Sequence, residues 1–144
     1  AKKNKIKTNL VYQAGKINSK MPKWIISKFL SGRKLKKILI VGIAYKKDLD
    51  DTRESPAINF IKILKEKRIS VDFYDPNIRY LKSRNLNKTY NSIKLNSKSL
   101  KKYDCAVIVT DHSNIDYKLI KENSKLIVDT RNVYKVKSNK ILKL

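Results

Sequence analysis

Short apolar runs alternate along the chain with segments of helical periodicity. The run "KKILIVGIA" (36–44) is too short for a helix. Its unbroken apolar content predicts a strand at 37–42 buried on both faces, as in a parallel sheet. "ISVDFYDP" predicts a second strand at 69–74, stopped by Pro76. "DCAVIV" and "KLIVD" predict two more, at 104–110 and 125–129. Between the first two lies "SPAINFIKILKEKR" (55–68), where Ser55 can cap a helix and Pro56 suits its first position. Ala57, Ile58, Ile61 and either Ile63 or Leu64 then share an apolar face. "NIDYKLIKENS" (114–124) predicts another helix, with Asn114 as a candidate cap. The pattern is weaker from 77 to 100: "NIRYLKSRN" suggests a short helix, "SIKL" a short strand, and "SLKK" a brief helix entering the third strand. Strand and helix alternate, which predicts an α/β layer fold with a mostly parallel sheet and right-handed connections.

Ahead of this lies a polar, basic stretch and then "SKMPKWIISKFLSG". Ser19 as cap, Pro22 in the first turn and Gly32 as terminator predict a helix over 22–31. Residues 1–33 are therefore expected to form a helical arm on a domain spanning 34–144. Residue 1 is Ala, no apolar leader follows it, and the sequence is expected to belong to a longer protein.

Charge changes the picture less than its size suggests. The formal net charge is +23, and residues 1–47 hold fourteen Lys or Arg and no carboxylate. That balance fits nucleic acid or an anionic surface. However, only six of the 35 basic residues are arginine, the better tool for bidentate phosphate and base recognition. No apolar run approaches the ~20 residues of a membrane span. A single cysteine excludes an intramolecular disulfide and suits a cytoplasmic setting. A lone histidine gives no zinc spacing.

The segment following the first strand is unusual. Asp48, Asp50, Asp51 and Glu54 are a third of the chain's twelve acidic residues. Gly42 is the only glycine near them, so neither a dinucleotide fingerprint nor a calcium loop is present. Ligands of open α/β sheets sit at the carboxyl ends of the strands. The 43–54 loop and the 129–134 segment both belong there, so Lys46, Lys47, Arg53 and Arg131 are candidates to converge on an anion. The start of the helix at Ser55 adds backbone N–H groups and a positive dipole end. The carboxylates then orient or offset these cations and favour the helix start. The plain alternative is a solvated charged turn.

These residues also resemble a family. "GIAYKKDLDDTRESPA" resembles the motif that opens the C-terminal domain of the UDP-glucose/GDP-mannose dehydrogenase family, and "TDHSNIDY" and "IVDTRNVY" resemble that domain's closing motifs. The combination is most similar to the branch that oxidises UDP-N-acetylhexosamines. "INSKMPKWIISKFL" resembles the end of the family's central helical region. The resemblance implies a Rossmann-like three-layer domain that binds a UDP-sugar, within an NAD-dependent 6-dehydrogenase that assembles as a homo-oligomer. It implies substrate contacts from Tyr45 and Lys46, a nucleotide contact from Arg131, and a reach across the interdomain cleft to NAD from Arg53. It also implies that Trp24, Ile25 and Phe29 stay poorly buried by this chain, because that region packs on other domains or subunits.

The remaining candidates have structural readings. Cys105 lies inside "DCAVIV" with no adjacent base and matches no catalytic motif, so it is expected to be a core residue. His112 is expected to cap its turn with Asp111 or Ser113. Asp75 ends a strand where a Rossmann carboxylate would grip a ribose, but the missing glycines and Pro76 favour a turn-forming role. The rival function is a basic α/β module docking on nucleic acid or anionic lipid. It requires a continuous basic face away from the strand ends and binding that falls steeply with salt.

Overall fold

The computed structural model describes residues 9–82, 86, 88–136 and 138–144. A parallel sheet of five strands runs in the order β2-β1-β5-β6-β7: β1 (Lys37–Val41), β2 (Ser70–Tyr74), β5 (Cys105–Ile108), β6 (Ile127–Asp129) and β7 (Ile141–Lys143). Side chains alternate across a strand. Ile38 and Ile40 therefore face one helical layer and Leu39 and Val41 the other, and all four are buried. The first layer holds α1 (Asn9–Leu30) and α2 (Pro56–Glu66); the second holds α3 (Ser97–Leu100) and α4 (Tyr117–Asn123). The arrangement is the expected Rossmann-like three-layer α/β fold with a helix ahead of it.

Local chemistry explains the element limits. The Ser55 hydroxyl accepts from the Ala57 amide at 3.2 Å, and Pro56 opens α2, as the sequence predicts. Ala57, Phe60, Ile61 and Leu64 are its buried face. α4 starts later than expected: Asp116, not Asn114, caps it by accepting from Leu119 N at 2.8 Å. Asn96 and Ser99 form a reciprocal capping box around α3.

Three expectations are corrected. Residues expected to form a short helix after Pro76 instead supply β3 (Tyr80–Lys82), paired antiparallel with β4 (Thr89–Asn91). The Asp75 carboxylate takes the Asn77 and Ile78 amides into a tight turn, and the hairpin then buries Leu81 and Tyr90. Residues 83–85 of the expected helix lie outside the described residues. "SIKL" is not a strand; Ser92 makes one bridge to Phe73 and the chain then turns toward α3. The arm helix is much longer than 22–31. Pro22 lies inside it, and the Ser19 hydroxyl donates to Lys16 O within the helix rather than capping. Gly32, at φ +76°, ends it as expected.

The arm is also better buried than expected. Ile25, Ile26 and Leu30 join the main core, and Phe29 packs on its margin. Only Trp24 of the three named aromatic and aliphatic residues stays exposed, at 46%. No helix among the described residues is long and apolar enough to cross a membrane.

Candidate functional site

The carboxyl ends of β1, β5 and β6 open into a cleft of ≈ 960 Å³. Tyr45, Lys46 and Lys47 line it from the β1–α2 loop, Val109 from just past β5, and Thr130 and Arg131 from the β6 end. Pro56, Asn59 and Phe60 contribute the start of α2, and residues from Gly15 to Ile25 of α1 close one side. Tyr45, Lys46 and Arg131, three of the four site residues that the family resemblance implies, thus share one cleft, together with Lys47. Arg53 does not line it. Its guanidinium is held by Asp51, with Nη2 2.7 Å from Oδ2 and Nε 3.0 Å from Oδ1. That hydrogen bonding lowers the Asp51 carboxyl to about 2.

Gly42 makes the turn out of β1 possible. Its φ is +76°, and a Cβ there would overlap the Thr110 carbonyl and lie 2.8 Å from Thr110 Cβ. Only glycine fits this approach. Thr110 then donates its hydroxyl to Ala44 O at 2.6 Å, joining the β1 and β5 ends. The Tyr45 amide donates to Asp51 O at 2.7 Å and closes the loop on itself. Asp48, Glu54 and Asn132 adopt left-handed φ near 59° without being glycine, and all three flank the cleft loops. Such conformations persist only where surrounding contacts hold them.

The loop carboxylates have separate tasks. Asp48 accepts from the Ser113 amide and hydroxyl, both at 2.7 Å, tying the β1–α2 loop to the loop after β5. The Ser113 backbone and hydroxyl bonds hold the Asp48 carboxyl below its ordinary value. Asp111 accepts from Arg131 Nε at 2.8 Å, and no described residue engages the Nη groups. Asp129, fully buried, accepts from the Arg131 amide at 3.0 Å and the Tyr134 amide at 2.9 Å, which shapes the turn carrying Arg131. None of these carboxylates caps α2; Ser55 does so, as expected.

Asp75 forms the expected turn and does more. Its Oδ2 accepts from the Ile43 and Ala44 amides, at 2.7 and 3.2 Å, and lies 3.1 Å from His112 Nε2. His112 is structural, as expected, but its partners are Asp75 and the Asp48 amide rather than Asp111 or Ser113. Sequence alone gave no sign of this, since the three positions are far apart in the chain. Cys105 is buried at the middle of the sheet, and that burial pushes its thiol up to about 12. It is a core residue. No group of three or more His, Cys, Asp or Glu among the described residues is placed to hold a metal ion.

The family model described as "UDP-glucose/GDP-mannose dehydrogenase family, UDP binding domain" matches residues 39–136. The chain belongs to this family. It is 34% identical to a UDP-N-acetyl-D-mannosamine dehydrogenase of Methanococcus vannielii over 143 aligned residues, covering 88% of this chain and 32% of the relative. The corresponding enzyme of Pyrococcus horikoshii is 31% identical, with 88% and 30% covered. A solved structure of the Pyrococcus horikoshii UDP-D-ManNAc dehydrogenase superposes with a TM-score of 0.70 at 27% identity, over 96% of this chain and 34% of that one. The Staphylococcus aureus UDP-N-acetyl-mannosamine dehydrogenase Cap5O gives 0.67 at 28% identity, over 97% and 34%. The chain spans about a third of the length of the curated relatives it matches.

Proposed function

We propose that this chain is the nucleotide-sugar-binding part of an NAD-dependent UDP-sugar 6-dehydrogenase, which oxidises a sugar C6 alcohol to a carboxylate. UDP-N-acetyl-D-mannosamine is the proposed substrate, after the names of its relatives. The observation that carries the reading is the shared cleft of Tyr45, Lys46 and Arg131 at the strand ends of a UDP-binding family domain. In this reading the Lys46 ammonium faces the diphosphate, and the free Nη groups of Arg131 meet the nucleotide, with Asp111 fixing the guanidinium's direction. Tyr45 offers an aromatic face and a hydroxyl beside them.

NAD accepts hydride when bound. The Rossmann-like edge of this domain does not fit it. Gly42 is the sole glycine of its loop, and Asp75 spends both carboxylate oxygens on four backbone amides and His112. The dinucleotide would therefore be held mainly by another domain, with Arg53 reaching toward it. Cys105 takes no part in the chemistry, and residues 1–144 alone should not turn over substrate. The exposed Leu10, Val11, Ile17 and Trp24 of α1 suit a homo-oligomeric contact, and the free thiol suits a reducing cytoplasm. Amide spectra of the 1–144 chain titrated with UDP test the reading. Shifts should concentrate at Tyr45, Lys46, Thr130 and Arg131. Shifts confined to other faces, or a response to oligonucleotides that vanishes with salt, would replace it with the basic-module reading.

A further inference from the structure

A buried imidazole stands behind the cleft without lining it. His112 is 0% exposed and is the chain's only histidine. Two N–H donors approach its Nδ1: the Asp48 amide at 2.9 Å and the Asn77 side-chain amide at 3.2 Å. Nδ1 therefore accepts, and Nε2 carries the ring proton, donated to Asp75 Oδ2 at 3.1 Å. That same oxygen accepts from the Ile43 and Ala44 amides. The Asp75–His112 pair thus grips the β1–α2 loop on both sides of Tyr45 and Lys46, at Ile43–Ala44 before them and at Asp48 after them.

The geometry points to His112 as a positioning residue for nucleotide-sugar binding: the singly protonated ring fixes the Tyr45–Lys46 segment, and a second proton on the ring releases it. The inference rests on the proposed function above, since it assigns those two residues to the ligand. The release follows from hydrogen-bond polarity. A protonated Nδ1 is a donor, and a donor cannot hold the Asp48 amide. The charged groups around the ring are few. Asp75 faces it from the end of β2, and Asp48 from the β1–α2 loop, where Lys47 lies beside Asp48. Asp111, on the ring's own loop, is paired with Arg131, and from α4 the Tyr117 hydroxyl donates only to the His112 carbonyl. The carboxylate on the Nδ1 side of the ring is that of Asp48, with Oδ1 at 3.7 Å. Turning toward it draws that carboxylate off the Ser113 amide and hydroxyl. One proton thereby loosens both tethers of Asp48.

Calorimetric titration of the 1–144 chain with UDP-N-acetylglucosamine from about pH 8 to about pH 5.5 tests this, across the range where imidazoles titrate. The diphosphate of this probe is a diester, so its charge is constant there. Wild-type affinity should fall about ten-fold or more on acidification, with the fold intact by circular dichroism. The free chain's Asp48 amide resonance should move with the same midpoint. His112→Asn keeps an acceptor near Nδ1 but takes no proton. It should bind with a flat pH profile, at an affinity between those of wild type and His112→Leu. A flat wild-type profile with binding intact overturns the inference even if both variants fail to fold. So does a pH step retained in His112→Asn. Absence of binding by wild type at pH 8 instead overturns the proposed function beneath it.

Discussion

Arg131 and Lys46 differ from the other cations of this lysine-rich chain in where the backbone puts them. Asp129 fixes the turn under Arg131, and Asp111 fixes its guanidinium. A charge-assisted hydrogen bond is worth about 1.5–3 kcal/mol, and 1.4 kcal/mol is about ten-fold in affinity. Arg131→Ala or Lys46→Ala should therefore weaken UDP-sugar binding by about ten-fold or more, measured by calorimetry. Asp48→Asn should cost much less, about three-fold, because Asn tolerates the left-handed φ and retains one acceptor for Ser113. Cys105 should resist thiol reagents in the folded chain, because burial disfavours its thiolate; rapid labelling under native conditions would contradict the core assignment. At this scale the sequence showed which cations lie near the strand ends, since strand-end placement follows from the apolar runs. It did not show that Arg53 would turn to Asp51, two positions away. Nor did it show the His112–Asp75–Asp48 contacts, which depend on how three separate loops meet.

Elements with strong local signals were legible, and those set by tertiary pairing were not. β1, β5 and β6 were visible because a strand covered on both faces reads as a near-continuous apolar run, and β2, at the sheet edge, because Val71 and Phe73 alternate with polar neighbours. β7 is three residues among lysines, and only its pairing with β6 makes it a strand. The β3–β4 hairpin likewise depends on the Asp75 turn and on burying Leu81 and Tyr90 together. The length of α1 was missed because Pro22 resembles a helix start, while the helix runs through it. Two stability predictions belong here. Ser55→Ala removes the α2 cap and should cost about 1 kcal/mol in urea unfolding. Ile26→Ala should cost about 2–5 kcal/mol, the range for a buried aliphatic truncation. A change near zero at Ile26 would show that α1 is not part of the core.

Over the whole molecule the net charge is +23, and at one sheet edge a few carboxylates each fasten a loop. The carboxyls of Asp51, Asp48 and Asp104 are all lowered by hydrogen bonds, from Arg53, Ser113 and the Lys36 and Lys37 amides respectively. A lowered carboxyl contributes stability above its unfolded value of 3.8 and loses it as pH falls through the folded value, about 2 for Asp51. Acid unfolding should accordingly set in below about pH 4, with positive self-repulsion adding to it. The central claim is that the carboxyl edge of this sheet binds a uridine diphosphate. Isothermal calorimetry of the 1–144 chain with UDP, wild type against Arg131→Ala, tests it most directly. The account predicts saturable one-to-one binding that Arg131→Ala weakens about ten-fold or more. Absence of saturable binding by wild type, or equal affinity in the two proteins, would contradict it.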